Sequence, residues 1–165
     1  MRRTMTLALT GAGVLLAVPV VAAADRMMVD HGHGPDAVHD TAYSAVTTQV
    51  HSWSKDDSTR VRLMAEGLPP NRTFGAHVHT GLCGTDPLAS GGHYQHPGHT
   101  GTLEQREVWL DITTDADGRG VATRTVGWEF APGTAGSVVI HANPTNPTNG
   151  GAGARLACTT VAFGE

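Results

Sequence analysis

The sequence predicts an all-β domain, a Greek-key β-sandwich or flattened barrel of roughly seven to eight antiparallel strands with two long functional loops. Three observations carry this expectation. The run Thr59-Arg60-Val61-Arg62-Leu63-Met64-Ala65 alternates polar and apolar residues, as a half-buried antiparallel strand does. Similar segments recur between tight clusters of turn residues: Lys55-Asp56-Asp57-Ser58, Pro69-Pro70-Asn71, Asp115-Ala116-Asp117-Gly118 and Pro132-Gly133-Thr134-Ala135-Gly136. No amphipathic helix of useful length interrupts them.

In chain order, residues 1–24 read as a secretory signal peptide. Arg2 and Arg3 form its positive start, Leu7 to Val21 its short apolar run, and Ala22-Ala23-Ala24 its small-residue cleavage positions. This implies export, to a secreted, periplasmic or cell-envelope location, and no stable membrane span after cleavage, because the run is short for a span. Residues 25–40 (DRMMVDHGHGPDAVHD) have no period and read as a flexible arm. Met27, Met28, His31, His33 and His39 in it are soft or borderline metal ligands that could capture copper, although a solvated tail is the plainer reading.

Residues 41–165 are enough for one core and one domain. Its expected strands are Ala42–Trp53, Thr59–Gly67, Phe74–Thr80, Arg106–Thr113, Gly120–Glu129, Ser137–His141 and Ala154–Phe163, each β-branched or alternating. Two stretches rich in Gly, Pro, His and Asn do not fit strands: Gly81 to Gly101, and Ala142 to Gly153. Long loops within a compact domain usually carry function.

The formal charge is −4 and no Lys/Arg cluster appears, which argues against a nucleic-acid partner. Oligomeric state is not legible. Two cysteines, Cys83 and Cys158, allow a single pairing, and an exported chain favours it. Histidine is the compositional outlier, with ten copies. His77 and His79 lie one residue apart in an expected strand and so share a face, which makes half of a metal site. Imidazole suits borderline transition metals, Cu(II) among them. His93 in the first long loop and His141 at the end of a strand are the other candidates for the same centre.

These pieces resemble the copper–zinc superoxide dismutase family. The matching segments are Phe74-Gly75-Ala76-His77-Val78-His79 with Gly81, then Gly91-Gly92-His93-Tyr94, then Val138-Val139-Ile140-His141, and Gly151-Ala152-Gly153-Ala154-Arg155-Leu156-Ala157-Cys158. They occur in family order across roughly residues 59–163. The resemblance implies that His77, His79 and His141 ligate copper, and that His93 is the imidazole shared between copper and zinc. Arg155 becomes the guanidinium that attracts superoxide, and Cys83–Cys158 the disulfide tying the long loop to the barrel. His93 and Arg155 are thus the expected catalytic residues.

The zinc ligands of the family are not matched. The local alignment puts Gln105 and Val108 where a histidine and an aspartate belong, and Thr145 where an aspartate links the two metal sites. The departure resembles a copper-only branch. His96 and His99 follow His93 closely and, with Asp86 or Asp111, could form an improvised zinc site. The expected activity is dismutation of superoxide to oxygen and hydrogen peroxide by copper cycling. A non-catalytic copper-binding or copper-delivery protein on the same fold is the alternative.

Overall fold

A computed structural model describes residues 27–165 of the chain. The expected signal peptide, residues 1–24, lies outside the described residues. Among the described residues no helix is long and apolar enough to cross a membrane.

Two four-stranded antiparallel sheets make the all-β sandwich. One contains β1 (Met28–Gly34), β3 (Thr47–Lys55), β4 (Ser58–Glu66) and β8 (Gly120–Val126), hydrogen-bonded in the order β1-β3-β4-β8. The other contains β2 (Ala37–Val38), β6 (Ala76–His79), β9 (Ser137–His141) and β10 (Arg155–Thr160), in the order β2-β10-β9-β6. A two-residue ladder joins β5 (Thr73–Phe74) to β7 (Ile112–Thr113). Neighbours in a sheet are often distant in sequence, as Greek-key connections require.

β4 shows how the pattern becomes a strand. Thr59, Val61, Leu63 and Ala65 are buried, while Arg60, Arg62 and Glu66 face solvent. The inward residues of both sheets meet in one core with Phe74, Leu110, Ile112, Ile140 and Phe163. Fully burying side chains of this size stabilises by about 1.5–3 kcal/mol each.

Residues 27–40 of the segment expected as a flexible arm are instead ordered structure. β1 pairs with β3 along its whole length, from Met28↔Ser54 to Gly34↔Thr48, and forms the edge of its sheet. Its glycines serve close approach rather than mobility: a Cβ on Gly32 would lie 2.6 Å from both Thr160 O and Val161 Cγ2 of the opposing sheet. Buried Asp30 accepts from the Gly164 backbone N–H, and Asp36 accepts from that of Thr160. The stretch is thus stitched at both ends to the C-terminal part of the chain.

Other boundaries differ from the sequence expectation too: Phe74–Thr80 divides into β5 and β6, and the strands expected to end at Glu129 and Phe163 end at Val126 and Thr160. Thr41–Tyr43 is a 3-10 turn with Tyr43 buried, so β3 begins at Thr47 rather than Ala42. Of the expected strand Arg106–Thr113, Arg106 closes a four-residue helix, α1 (Leu103–Arg106), and Ile112–Thr113 forms β7. The residues between run along the free edge of β6, where Val78 N–H donates to Val108 O and Leu110 N–H to Ala76 O.

Candidate metal centre

Every residue of β6 is buried, because both faces of the strand are covered. Ala76 and Val78 join the hydrophobic core. Alternation therefore sends His77 and His79 to the opposite face, beneath the first long loop. β9 pairs antiparallel with β6 and ends on His141. The loop returns to the edge of β6, where Tyr94 N–H donates to Val78 O, and this sets His93 opposite His79.

The four histidines offer one ligand atom each, all within 4.8 Å of one another. Their hydrogen bonds fix which nitrogen is free. His79 Nδ1 lies 3.1 Å from Gly91 O and His141 Nδ1 lies 3.2 Å from Gly153 O. A carbonyl oxygen only accepts, so both Nδ1 atoms carry the proton and both Nε2 atoms carry a lone pair. Those two Nε2 atoms face each other at 3.3 Å with no proton between them. Thr145 Oγ1 donates to Asp111 Oδ1 and therefore accepts from His77 Nε2 at 2.7 Å. The remaining His77 Nδ1 is buried without a protein partner. At His93, Nδ1 donates to Glu107 Oε2 at 2.9 Å, leaving Nε2 free.

Lone pairs that converge without donors form a site that can hold a cation. Two nitrogens bound to a common ion at about 2.0–2.1 Å sit roughly 3–4 Å apart, and the His79–His141 separation falls in that range. The three buried imidazoles, His77, His79 and His141, are also neutral. Burial, reinforced by the other histidines, lowers the pKa of His77 to about 2 and that of His79 to about 3; burial is also the main cause that takes His141 to about 4. The donor set fits a borderline divalent metal.

Glu107 stands behind His93 and is almost fully buried. Burial pushes its carboxyl up, but hydrogen bonds from His93, Trp109 and Gln95 and the nearby imidazole outweigh that and hold it below the ordinary range. The donors are His93 Nδ1 and Trp109 Nε1 on Oε2, at 2.9 and 2.7 Å, and Gln95 Nε2 on Oε1 at 2.9 Å. A buried carboxylate with three donors is well satisfied.

Arg155 reaches the same centre through one atom. Its Nη2 donates to Gly91 O, the carbonyl that also receives His79 Nδ1–H. Nη1 donates to Pro87 O and Ser90 Oγ, so three acceptors hold the guanidinium against the loop. That loop is anchored by the Cys83–Cys158 disulfide, with Cα atoms 5.6 Å apart, to β10, the strand that carries Arg155. Closing a loop across the 75-residue separation stabilises by about 4 kcal/mol in the chain-entropy account. His93, with 19% of its side chain exposed, is the open side of the cluster, since His77, His79 and His141 are buried.

A profile of the family described as copper/zinc superoxide dismutase matches residues 44–161, nearly all of the described domain. The chain belongs to the copper/zinc superoxide dismutase family. No curated protein sequence gives a significant match.

Among the described residues the structure gathers His77, His79, His93 and His141, and His96 and His99 do not join that group. His96 and His99 lie 5.4 Å apart by ring centroid, each 4.8 Å from the Trp128 ring, and outside the four-histidine group. The carboxylates proposed to join them are used elsewhere. Asp86 accepts from Leu88 N–H at the start of the 3-10 turn Pro87–Ser90, and Asp111 accepts from Thr145. His96 stacks on the Trp128 ring at an interplanar angle of 15°, and His99 packs against it tilted by 54°.

Sequence reasoning missed Glu107. This residue lies between Gln105 and Val108 in a segment whose pattern reads as a strand. The available signal was an acid directly before the apolar run Val108-Trp109-Leu110, where a charge must find partners if it is buried. The pairing of Asp111 with Thr145 was also missed. It depends on Gly75, whose Cβ would lie 2.9 Å from Thr145 Oγ1 and 2.6 Å from Ala152 Cβ.

Proposed function

We propose that this protein is an exported superoxide dismutase that holds one copper ion and no zinc at this centre, with His77 Nδ1, His79 Nε2, His141 Nε2 and His93 Nε2 as the ligand atoms. The observation that carries the reading is the convergence of four free imidazole lone pairs in a buried, family-matched site. Copper bound there supplies the one-electron couple by which one superoxide is oxidised to dioxygen and a second, with two protons, is reduced to hydrogen peroxide.

The protein's own residues set up the rest. Arg155 is permanently charged and presents a planar fork, which raises the local concentration of a small anion on a chain of net charge −4. His93 is the partly exposed ligand, and its Nε2 can hold a proton and release it to a departing peroxide. Its Nδ1–H stays on Glu107 throughout, so the ring keeps one tautomer and one orientation. In the family that nitrogen faces zinc. Here a buried carboxylate takes the corresponding role of a fixed partner, and this supports the copper-only reading. Thr145 and Asp111 similarly hold His77 with its proton at Nε2.

The test is dismutation by the copper-loaded mature protein, repeated with His141→Ala. Loss of activity with the substitution is the expected outcome, and full activity in its absence would discard the assignment. Metal analysis of the purified protein should give copper without stoichiometric zinc.

A further inference from the structure

A second group of imidazoles, His31, His33 and His51, stands on the outward face of the other sheet. Asp30 and Gly32 of β1 are buried, so His31 and His33 point outward; Val50 and Ser52 of β3 are buried, so His51 does too. His31 and His51 are direct cross-strand partners, with Nδ1 atoms 2.8 Å apart. The His33 ring lies 6.5 Å from that of His51 on the same face. Trp53 stacks on His51 at 5.6 Å with an interplanar angle of 12°, which fixes the ring.

We propose that His31 and His51 chelate a second transition-metal ion at the protein surface, with His33 as a third ligand, and that Cu(II) is the ion bound most tightly. Two cis nitrogens at about 2.0 Å from one ion are about 2.8 Å apart, the separation already present between the two Nδ1 atoms. Exposed His33 needs only a rotamer change to reach the same ion. Without a metal one Nδ1 donates its proton to the other, and a bound ion would take the place of that proton between the two nitrogens. Arg62, opposite His51 on β4, opposes a cation electrostatically, but it is exposed and its long side chain can swing to solvent. The Irving–Williams order favours Cu(II) over Zn(II) and Ni(II) at an all-imidazole site of this kind. The site repeats on an exposed strand the His-x-His spacing that β6 uses in the interior. It does not depend on the dismutase reading, because it shares no residue with the buried centre.

The experiment is a Cu(II) titration of the metal-free mature protein, followed by tryptophan fluorescence and by electron paramagnetic resonance of successive equivalents. The wild type should take up two equivalents, the second with a nitrogen-rich signal and with quenching that is absent in Trp53→Phe. In His31→Gln/His51→Gln the first equivalent should remain, which also shows that the variant is folded, and affinity for the second should fall at least about tenfold. His96→Gln/His99→Gln should leave both equivalents in place. A wild type in which no bound equivalent produces quenching that depends on Trp53 would overturn the proposal. So would a second equivalent that survives His31→Gln/His51→Gln unchanged, or one that disappears in His96→Gln/His99→Gln. Loss of the buried equivalent in His141→Ala, with the surface equivalent retained, would support this site independently of the main centre.

Discussion

Replacing Glu107 by leucine removes the acceptor for three side-chain donors at once. His93 Nδ1, Trp109 Nε1 and Gln95 Nε2 all donate to this carboxylate, which is 2% exposed. Each buried donor left without a partner costs about 1–3 kcal/mol, more where the lost acceptor is charged. Gln95 is on the surface and recovers water, so about 3–5 kcal/mol of destabilisation remains from the other two. Glu107→Gln keeps a carbonyl oxygen for His93 and Trp109 and loses the charge, and should cost about 1–2 kcal/mol. The same change reaches the metal. A charge-assisted hydrogen bond of about 1.5–3 kcal/mol favours the Nδ1–H tautomer of His93 by roughly 10- to 150-fold, and that tautomer is the one with Nε2 free. Copper affinity should therefore fall about 10- to 100-fold in Glu107→Leu and less in Glu107→Gln. Urea denaturation of the metal-free proteins and chelator competition at pH 7 measure the two effects. A leucine variant as stable as the wild type, with unchanged copper affinity, would refute the reasoning.

Other outcomes follow from the same contacts. Arg155→Ala should lower the dismutation rate at least about tenfold and flatten its dependence on ionic strength with copper retained, whereas a non-catalytic copper carrier would show no turnover to lose. Metal-free protein should lose stability as pH falls below about 6.5, because the unfolded histidines then take up protons while His141, His79 and His77 in the fold do so only near pH 4, 3 and 2. Three such groups amount to about 4 kcal/mol by pH 5.5, visible in denaturant midpoints, and bound copper should shift the loss to lower pH. Reduction of Cys83–Cys158 should destabilise by about 4 kcal/mol and release the loop that carries the Gly91 carbonyl, which thermal unfolding with and without a reductant would measure. Gly32→Ala should cost about 1–3 kcal/mol, since its Cβ would overlap Thr160 and Val161; a merely flexible arm would show no change in urea midpoint.

The sequence by itself determined the sheet-forming pattern and the inner ligand pair. Alternation in Thr59–Ala65 survives as the alternating burial of β4, and the one-residue spacing of His77 and His79 guarantees a shared face in any strand. Both are local rules, set by the two-residue period of extended backbone. Tertiary structure decided what those rules do not reach. Glycines in residues 28–34 looked like flexibility because sequence cannot tell a mobile glycine from one pressed against an opposing strand; the nearness of Thr160 settles Gly32. Likewise, His96 and His99 are as close to His93 in sequence as any ligand set requires, yet their rings turn to Trp128. The partner of His93 is Glu107, brought behind it by a loop that first folds through α1 and then along the edge of β6. Such pairings depend on where two distant backbone segments meet, and that is fixed by packing of the whole core rather than by spacing along the chain.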